Sequence, residues 1–318
     1  MAYTIITHFT NLAIHDHGAP QPYINIFNIK RKDKGSSPDL PLGAKETIGS
    51  IELNKIISAD HFLVKYIDTA EPFSHQQLEN IMSLWGELTQ AMIFSSWLTK
   101  DNNLRVDKLY FCHTEGKNSF WGSGHASIYP LSASGEAHSE CSFTNNDFKR
   151  WSEIYALFFD YTVNVADGAT FTTSVIDAKH PRFSRAVNFI SSARSESEPA
   201  MKIAQYCSAL ESLFGTDSSE LTHRLSERTA IFLRDCNHNP LDVYNNIKKC
   251  YSIRSTVTHG DSFKESKIAS IKDDCITLDG YLREILNKIL TSKEAQNLIE
   301  SSKEQINTYF NNKLLRAL

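Results

Sequence analysis

Hydrophobic positions change their spacing once along this chain. Through the first half, strand-like alternation mixes with helix-like steps of three and four; past residue 177 only the helical spacing is left. Residues 3–14 alternate loosely between apolar and polar, which predicts a first strand, and the alternation over Tyr23–Ile29 predicts a second. Leu78, Ile81, Met82, Trp85, Leu88, Met92 and Ile93 then recur at helical steps, so a helix is expected over 74–98. Ser74, with Gln77 three positions on, has the form of a reciprocal N-terminal cap. Two further strands, 106–112 and 120–129, flank the turn-rich Glu115–Asn118, with Phe120 and Trp121 read as core aromatics. Thr144 is placed to cap a helix carrying Phe148, Trp151, Ile154, Tyr155, Phe158 and Phe159.

The second half reads as a succession of capped helices. Arg182–Ser197 predicts one; Pro199, tolerated in a first turn, opens the next through Ile203, Tyr206, Leu210, Leu213 and Phe214, and Gly215 stops it. Asp217–Ser219 starts a helix with Leu221, Leu225, Ile231, Phe232 and Leu233. Asn239 and Pro240 are cap and first position of one that ends at His259–Gly260. Ile271, Cys275, Leu278, Leu282, Ile285 and Ile289 form a seam of about five turns, long enough for a bundle backbone or a dimer interface. One last helix spans Leu298 to Leu314. The expected fold is an α+β N-terminal domain, residues 1–177, followed by an all-α helical bundle, residues 178–318.

At 318 residues the chain has room for two such domains. Its formal net charge of -4 excludes a polycationic nucleic-acid binder, but not a nucleic-acid enzyme, which needs only a local basic patch. The cysteines are widely spaced with no Cys-x-x-Cys pair, and several fall at apolar helical positions, which favours free thiols in a reducing compartment. The sequence shows neither a signal-peptide pattern nor an apolar run of membrane-spanning length, so a cytoplasmic protein with no membrane partner is expected.

Candidate chemistry is sparse in the first half. Lys30–Lys34, running into Gly35–Pro38, reads as a solvated basic turn, and Gly122–His125 fits neither a nucleophile elbow nor a phosphate loop. His8, His15, His17 and the Cys112–His113 pair are metal-ligand types, but no third ligand is recognisable; no metal and no cofactor is expected. The informative stretch is Cys250–Gly260. Val243, Ile247, Cys250 and Val257 share one helical face, and Arg254 falls in the middle of it. A guanidinium cannot shed its charge, so it needs a partner there: a carboxylate of the same fold, a second chain, or a phosphate.

Arg254-Ser-Thr-Val-Thr-His259 matches the arginine-x4-histidine signature of HEPN domains, at a helix end in an all-α region. Arg182–Ile190, Ala209–Phe214 and Leu225–Ala230 precede it in order, and with them residues 180–290 resemble the Apea-like HEPN subgroup; the resemblance does not reach the first half. It implies a metal-independent endoribonuclease acting as a homodimer through the C-terminal helical domain. Arg254 and His259 would be catalytic, Ser255 supporting, and RNA the substrate. The residue types suit that chemistry. RNA brings its own nucleophile, the 2′-hydroxyl; an imidazole moves the proton, and a guanidinium holds the phosphate, leaving a 2′,3′-cyclic phosphate and a 5′-hydroxyl.

On an ideal helix Arg254 and His259 are separated by roughly 7.5 Å of rise and 140° of rotation. Either the helix unwinds at Gly260 to turn His259 inward, or residues of two chains converge. Thr258 is read as structural and Tyr251 as core, with Glu211 and Arg228 as a carboxylate–guanidinium clamp between helices. Asp261 stands where some relatives carry a modifiable tyrosine. The resemblance further implies an effector of antiviral defence, its N-terminal domain sensing a phage-derived or host trigger. The rival expectation is a non-catalytic HEPN module that binds nucleotide or RNA or serves for dimerisation, with Arg254 in a structural ion pair.

Overall fold

Asn11 takes the left-handed backbone conformation, at φ 70°, and breaks the first apolar stretch into two strands, β1 (Ala2–Thr10) and β2 (Leu12–Ile14). Asparagine tolerates that conformation because its short side chain bonds locally; here Nδ2 donates to the Asn103 carbonyl at 3.2 Å. The computed structural model describes residues 2–14, 23–24, 27–31, 40, 44–115, 118–164, 181–217 and 220–315. The first half continues through β3 (Tyr23–Ile24), β4 (Phe27–Arg31), α1 (Ala44–Ile48), α2 (Ser50–Ser58) and β5 (His61–Asp68). Then come α3 (His75–Thr99), β6 (Arg105–Glu115), β7 (Asn118–Ile128), β8 (Cys141–Phe143) and α4 (Asn145–Asn164). Strands pair antiparallel in the order β3-β4-β5-β1-β6-β7, and β2 pairs with β8 in parallel.

The central strand β1 is covered on both faces, so Tyr3, Ile5, Ile6 and Thr7 are all buried and its apolar run is nearly continuous. On one face Ile6, Phe62, Val64 and Tyr110 pack with Ile56 of α2, and Trp121 borders them half-buried. The opposite face carries α3 so closely that a Cβ at Gly124 would stand 3.2 Å from Met82 Cε, which accounts for the glycine in that strand. Ser74 and Gln77 exchange the reciprocal cap bonds that the sequence predicts, at 2.8 and 3.3 Å. Thr144 makes the same exchange with Asp147. α1, α2 and β5 have no counterpart in the sequence reading. α2 is nine residues long, buries only Ile56 and leaves Ile51 exposed, too weak a stripe to read. Lys30 and Arg31 of the expected basic turn belong to β4; its residues 32–38, with His15, His17, the side chain of Phe120 and the boundary at 177, lie outside the described residues.

After residue 181 the chain is helical: α5 (Arg182–Arg194), α6 (Pro199–Phe214), α7 (Leu221–Leu233), α8 (Pro240–His259), α9 (Glu265–Thr291), α10 (Lys293–Glu300) and α11 (Lys303–Leu315). α5 stops at Arg194, short of the expected Ser197, because Pro199 holds Glu198 extended at φ -83°, ψ 115°. The expected last helix is two, divided at Ser301–Ser302. There the Ser302 amide donates to Gln305 Oε1 at 2.9 Å and Ser302 Oγ accepts from the Gln305 amide at 3.3 Å, a fresh cap. The α9 seam is buried along its length, from Ile271 to Ile289.

The chain divides into two compact units: Met1–Ser96 with Asn103–Tyr129 and His138–Ala156, and Trp97–Asn102 with Pro130–Ala137 and Leu157–Leu318. The helical unit thus includes Trp97–Asn102, Pro130–Ala137 and the residues from Leu157 on, which a single cut after residue 177 does not provide. Their attachment is polar and buried. Asp279 of α9, fully buried, accepts from Trp97 Nε1 at 3.0 Å, Tyr206 Oη at 2.6 Å and an Arg283 guanidinium nitrogen at 2.9 Å. Arg194 donates to the Asn102 carbonyl at 2.9 Å and Lys202 to the Ser132 carbonyl at 2.6 Å, both from inside the core.

Truncating the carboxylate leaves Arg283 and two buried donors without their acceptor. Asp279→Ala is therefore expected to cost about 3–5 kcal/mol, read as a lower urea midpoint at unchanged slope. In the other unit, the Tyr110 hydroxyl donates to Glu52 at 2.5 Å, Lys108 sits 3.1 Å away, and the carboxyl is pushed down from near 4.5 to about 2. A depressed folded value contributes stability that is present at neutral pH and lost as the pH falls from the ordinary range toward about 2. Thermal melts of Glu52→Gln across that window should show a flatter acid limb than the parent.

Candidate functional site

Asn239 caps α8, its Oδ1 accepting from the Leu241 amide at 2.9 Å, and Pro240 occupies the first turn as the sequence predicts. The far end closes on Gly260, left-handed at φ 77° and ψ 17°, whose amide reaches the Thr256 and Val257 carbonyls while the Asp261 amide reaches Thr256. Helical geometry holds through His259. Of the two ways to bring Arg254 and His259 together, unwinding at Gly260 is absent, and the rotation between them, roughly 140°, stands.

Val243, Ile247 and Cys250 are buried on one face of α8, with Val257 half-buried on the same side. Arg254 lies at this face, 29% exposed, and the partner its charge requires is a carboxylate of the same fold: an Nη lies 3.0 Å from Glu211 Oε1 on α6. The Tyr251 hydroxyl donates to the same carboxylate oxygen, and the guanidinium carbon sits 5.4 Å from the Tyr251 ring centroid. Burial, then the Glu211 bond, pushes the Tyr251 phenol far above its ordinary range, so it stays a donor. Tyr251 is core, as expected, but with a polar duty.

Ser255 and His259 lie on the other, exposed side of the helix. Thr258 Oγ1 donates to the Arg254 carbonyl at 2.7 Å, a bond within its own helix that matches the structural role expected of it. The clamp expected between Glu211 and Arg228 is a different pair. Arg228 donates to the Phe214 carbonyl, Thr216 Oγ1 and Asn307 Oδ1 and lies over the Phe310 ring, while Glu211 goes to Arg254. Sequence spacing placed Glu211 and Arg228 in neighbouring helices but carried no signal for which cation the carboxylate meets; the Tyr251–Glu211 bond was equally hidden.

In the N-terminal unit His8 and His61, both buried, line a cavity of about 480 Å³ with Arg105 and Asp107. Burial lowers the His8 imidazole, which favours its neutral form. Among the described residues no three His, Cys, Asp or Glu side chains are arranged to hold a metal ion. Cys112 is buried, its thiol pushed up to about 12, and all the cysteines are free thiols. Among the described residues no helix is long and apolar enough to cross a membrane.

No protein-family model, no curated protein and no solved structure matches this chain.

Glu211 and Arg254 are each a little over a quarter exposed, so water screens their attraction. A double-mutant cycle with Glu211→Gln and Arg254→Met should return a coupling of about 1 kcal/mol in chemical denaturation. A coupling of zero would mean that the pair does not form in solution.

Proposed function

We propose that the helical unit is a HEPN-type endoribonuclease, cytoplasmic and homodimeric, that cleaves RNA without a metal ion or cofactor. One observation carries the reading. The motif arginine and histidine occupy the last turns of one helix, with the guanidinium open to solvent on one edge and the imidazole exposed on the other side.

A twofold arrangement of two such helix ends supplies what one chain cannot, two imidazoles about one phosphodiester. One neutral His259 takes the 2′-hydroxyl proton as that oxygen attacks phosphorus. The other His259, protonated, gives its proton to the 5′-oxygen as the P–O5′ bond breaks. Arg254 stabilises the charge gathering on the non-bridging oxygens, and Ser255 offers a hydrogen bond from the exposed strip it shares with His259. The products are a 2′,3′-cyclic phosphate and a 5′-hydroxyl, and the two imidazoles end with their protonation exchanged. An antiviral effector role, with the first unit answering a phage-derived or host trigger, extends this proposal on the strength of the sequence resemblance.

The Glu211–Arg254 pair favours a second reading, a non-catalytic HEPN module in which Arg254 only joins α6 to α8. Purified protein incubated with single-stranded RNA and EDTA separates the two. The enzyme reading expects cyclic-phosphate ends, and a loss of about a hundredfold or more in rate for His259→Ala and for Arg254→Ala. Glu211→Gln, which frees the guanidinium, should still cleave. Sedimentation should find a dimer. Undiminished cleavage by His259→Ala would remove the assigned site, and a wild type that binds RNA but never cuts it would support the second reading.

A further inference from the structure

Just past Gly260 the chain turns through Ser262, Phe263 and Lys264 into α9. A cavity of about 360 Å³ remains between this turn, the end of α8 and the first turns of α9. That volume is within the range of small-ligand sites, roughly 300–1,000 Å³.

Its floor is apolar: Ile253 and Ile271 are buried and Phe263 is half-buried. Its walls carry Lys249, Lys264 and Lys267. Lys249 is neutralised by Asp274 at 2.8 Å. Lys264 and Lys267 have no carboxylate at ion-pair distance among the described residues, so the cavity keeps two spare positive charges. Two unpaired cations and an aromatic ring around an apolar floor complement a group that is anionic at one end and flat at the other. A nucleotide has that form.

Position ties the cavity to the motif. Ser252 lines it, and His259 is seven residues further along α8, so the two differ by only about 20° around the axis. Thr256, Lys249 and Ile253 lie about 60°, 80° and 120° round from His259, so the imidazole stands beside the edge of the cavity, while Arg254 faces away from it.

We propose that this cavity seats one nucleotide of the RNA beside the scissile bond. Lys264 and Lys267 hold its phosphodiester, and Phe263 stacks on its base. The assignment rests on the ribonuclease reading for its substrate, and it adds the residues that grip the strand apart from those that cut it.

Binding of a fluorescein-labelled, fully 2′-deoxy-substituted oligonucleotide and of its RNA counterpart, followed by anisotropy across a salt series, tests this. The double variant Lys264→Gln/Lys267→Gln changes only exposed side chains, and its thermal melt serves as the folding check. Releasing that phosphodiester should weaken binding about tenfold and flatten the log–log salt dependence by about 0.7. Phe263→Ala should weaken it roughly tenfold without changing that slope. His259→Ala should bind like wild type and not cleave. An unchanged slope in the double variant overturns the cavity assignment and leaves the ribonuclease standing. If wild type never cleaves, titration with uridine monophosphate decides alone: lysine-dependent binding keeps the cavity while the ribonuclease reading falls, and no binding overturns both.

Discussion

A carboxylate with no access to water fixes the helical unit. Asp279 takes hydrogen bonds from an indole, a phenol and a guanidinium, and no solvent can replace any of them. In a low-dielectric interior an ionised group missing even one such donor costs more than most apolar contacts return. Trp97 is therefore held to α9, with the guanidinium carbons of Arg194 and Arg283 over its ring at 5.5 and 5.8 Å from the centroid. The same logic attaches the neighbouring segments. Asp101 accepts the Ala133 amide through both oxygens at 3.0 Å, its carboxyl raised by burial and then by Asp279, and Arg194 and Lys202 reach buried backbone carbonyls. Pieces from three places in the sequence fold as one body because their charges can be satisfied nowhere else.

With α9 held at Asp279, α8 is set against it one contact at a time. Asn246 donates to the Tyr281 hydroxyl at 3.0 Å, Lys249 meets Asp274 at 2.8 Å, and Cys250 is buried on the same side. From the other direction α6 receives Tyr251 and Arg254 through Glu211. The last two turns of α8 are consequently gripped from two sides, while its outer strip with Ser255 and His259 is bare. Groups placed by a rigid scaffold need little reorganisation when a ligand arrives, which suits either catalysis or recognition at this helix end.

Much of this was legible in the sequence, and the limits are physical. Helix periodicity found the α9 seam and the extent of α8 because each has a long apolar stripe, and caps such as Ser74–Gln77 and Asn239–Pro240 act within a few residues. Long-range polar pairing leaves no local trace. Nothing in the spacing of Lys202, Arg194 or Asp279 marks them as buried, and a charged residue reads as surface until its partner is known. For that reason the division into units went unread, and Glu211 was given the wrong cation. The arginine on an apolar face was the exception. Its anomaly is local, so the need for a partner could be read even though the partner could not.

The identity of that partner does not by itself decide what Arg254 does. Glu211 is first of all the acceptor for Tyr251, a phenol too buried to find water, and that bond would be needed with any residue at 254. The guanidinium adds an ion pair which, at this exposure, is worth about 0–1 kcal/mol, too little to explain placing a permanent charge beside Val257 and Cys250. A guanidinium also carries more N–H donors than one carboxylate oxygen can use, and Glu211 engages a single Nη. The carboxylate thus orients the group and the Tyr251 ring supports its face, which leaves on the solvent side N–H donors that this pair does not use.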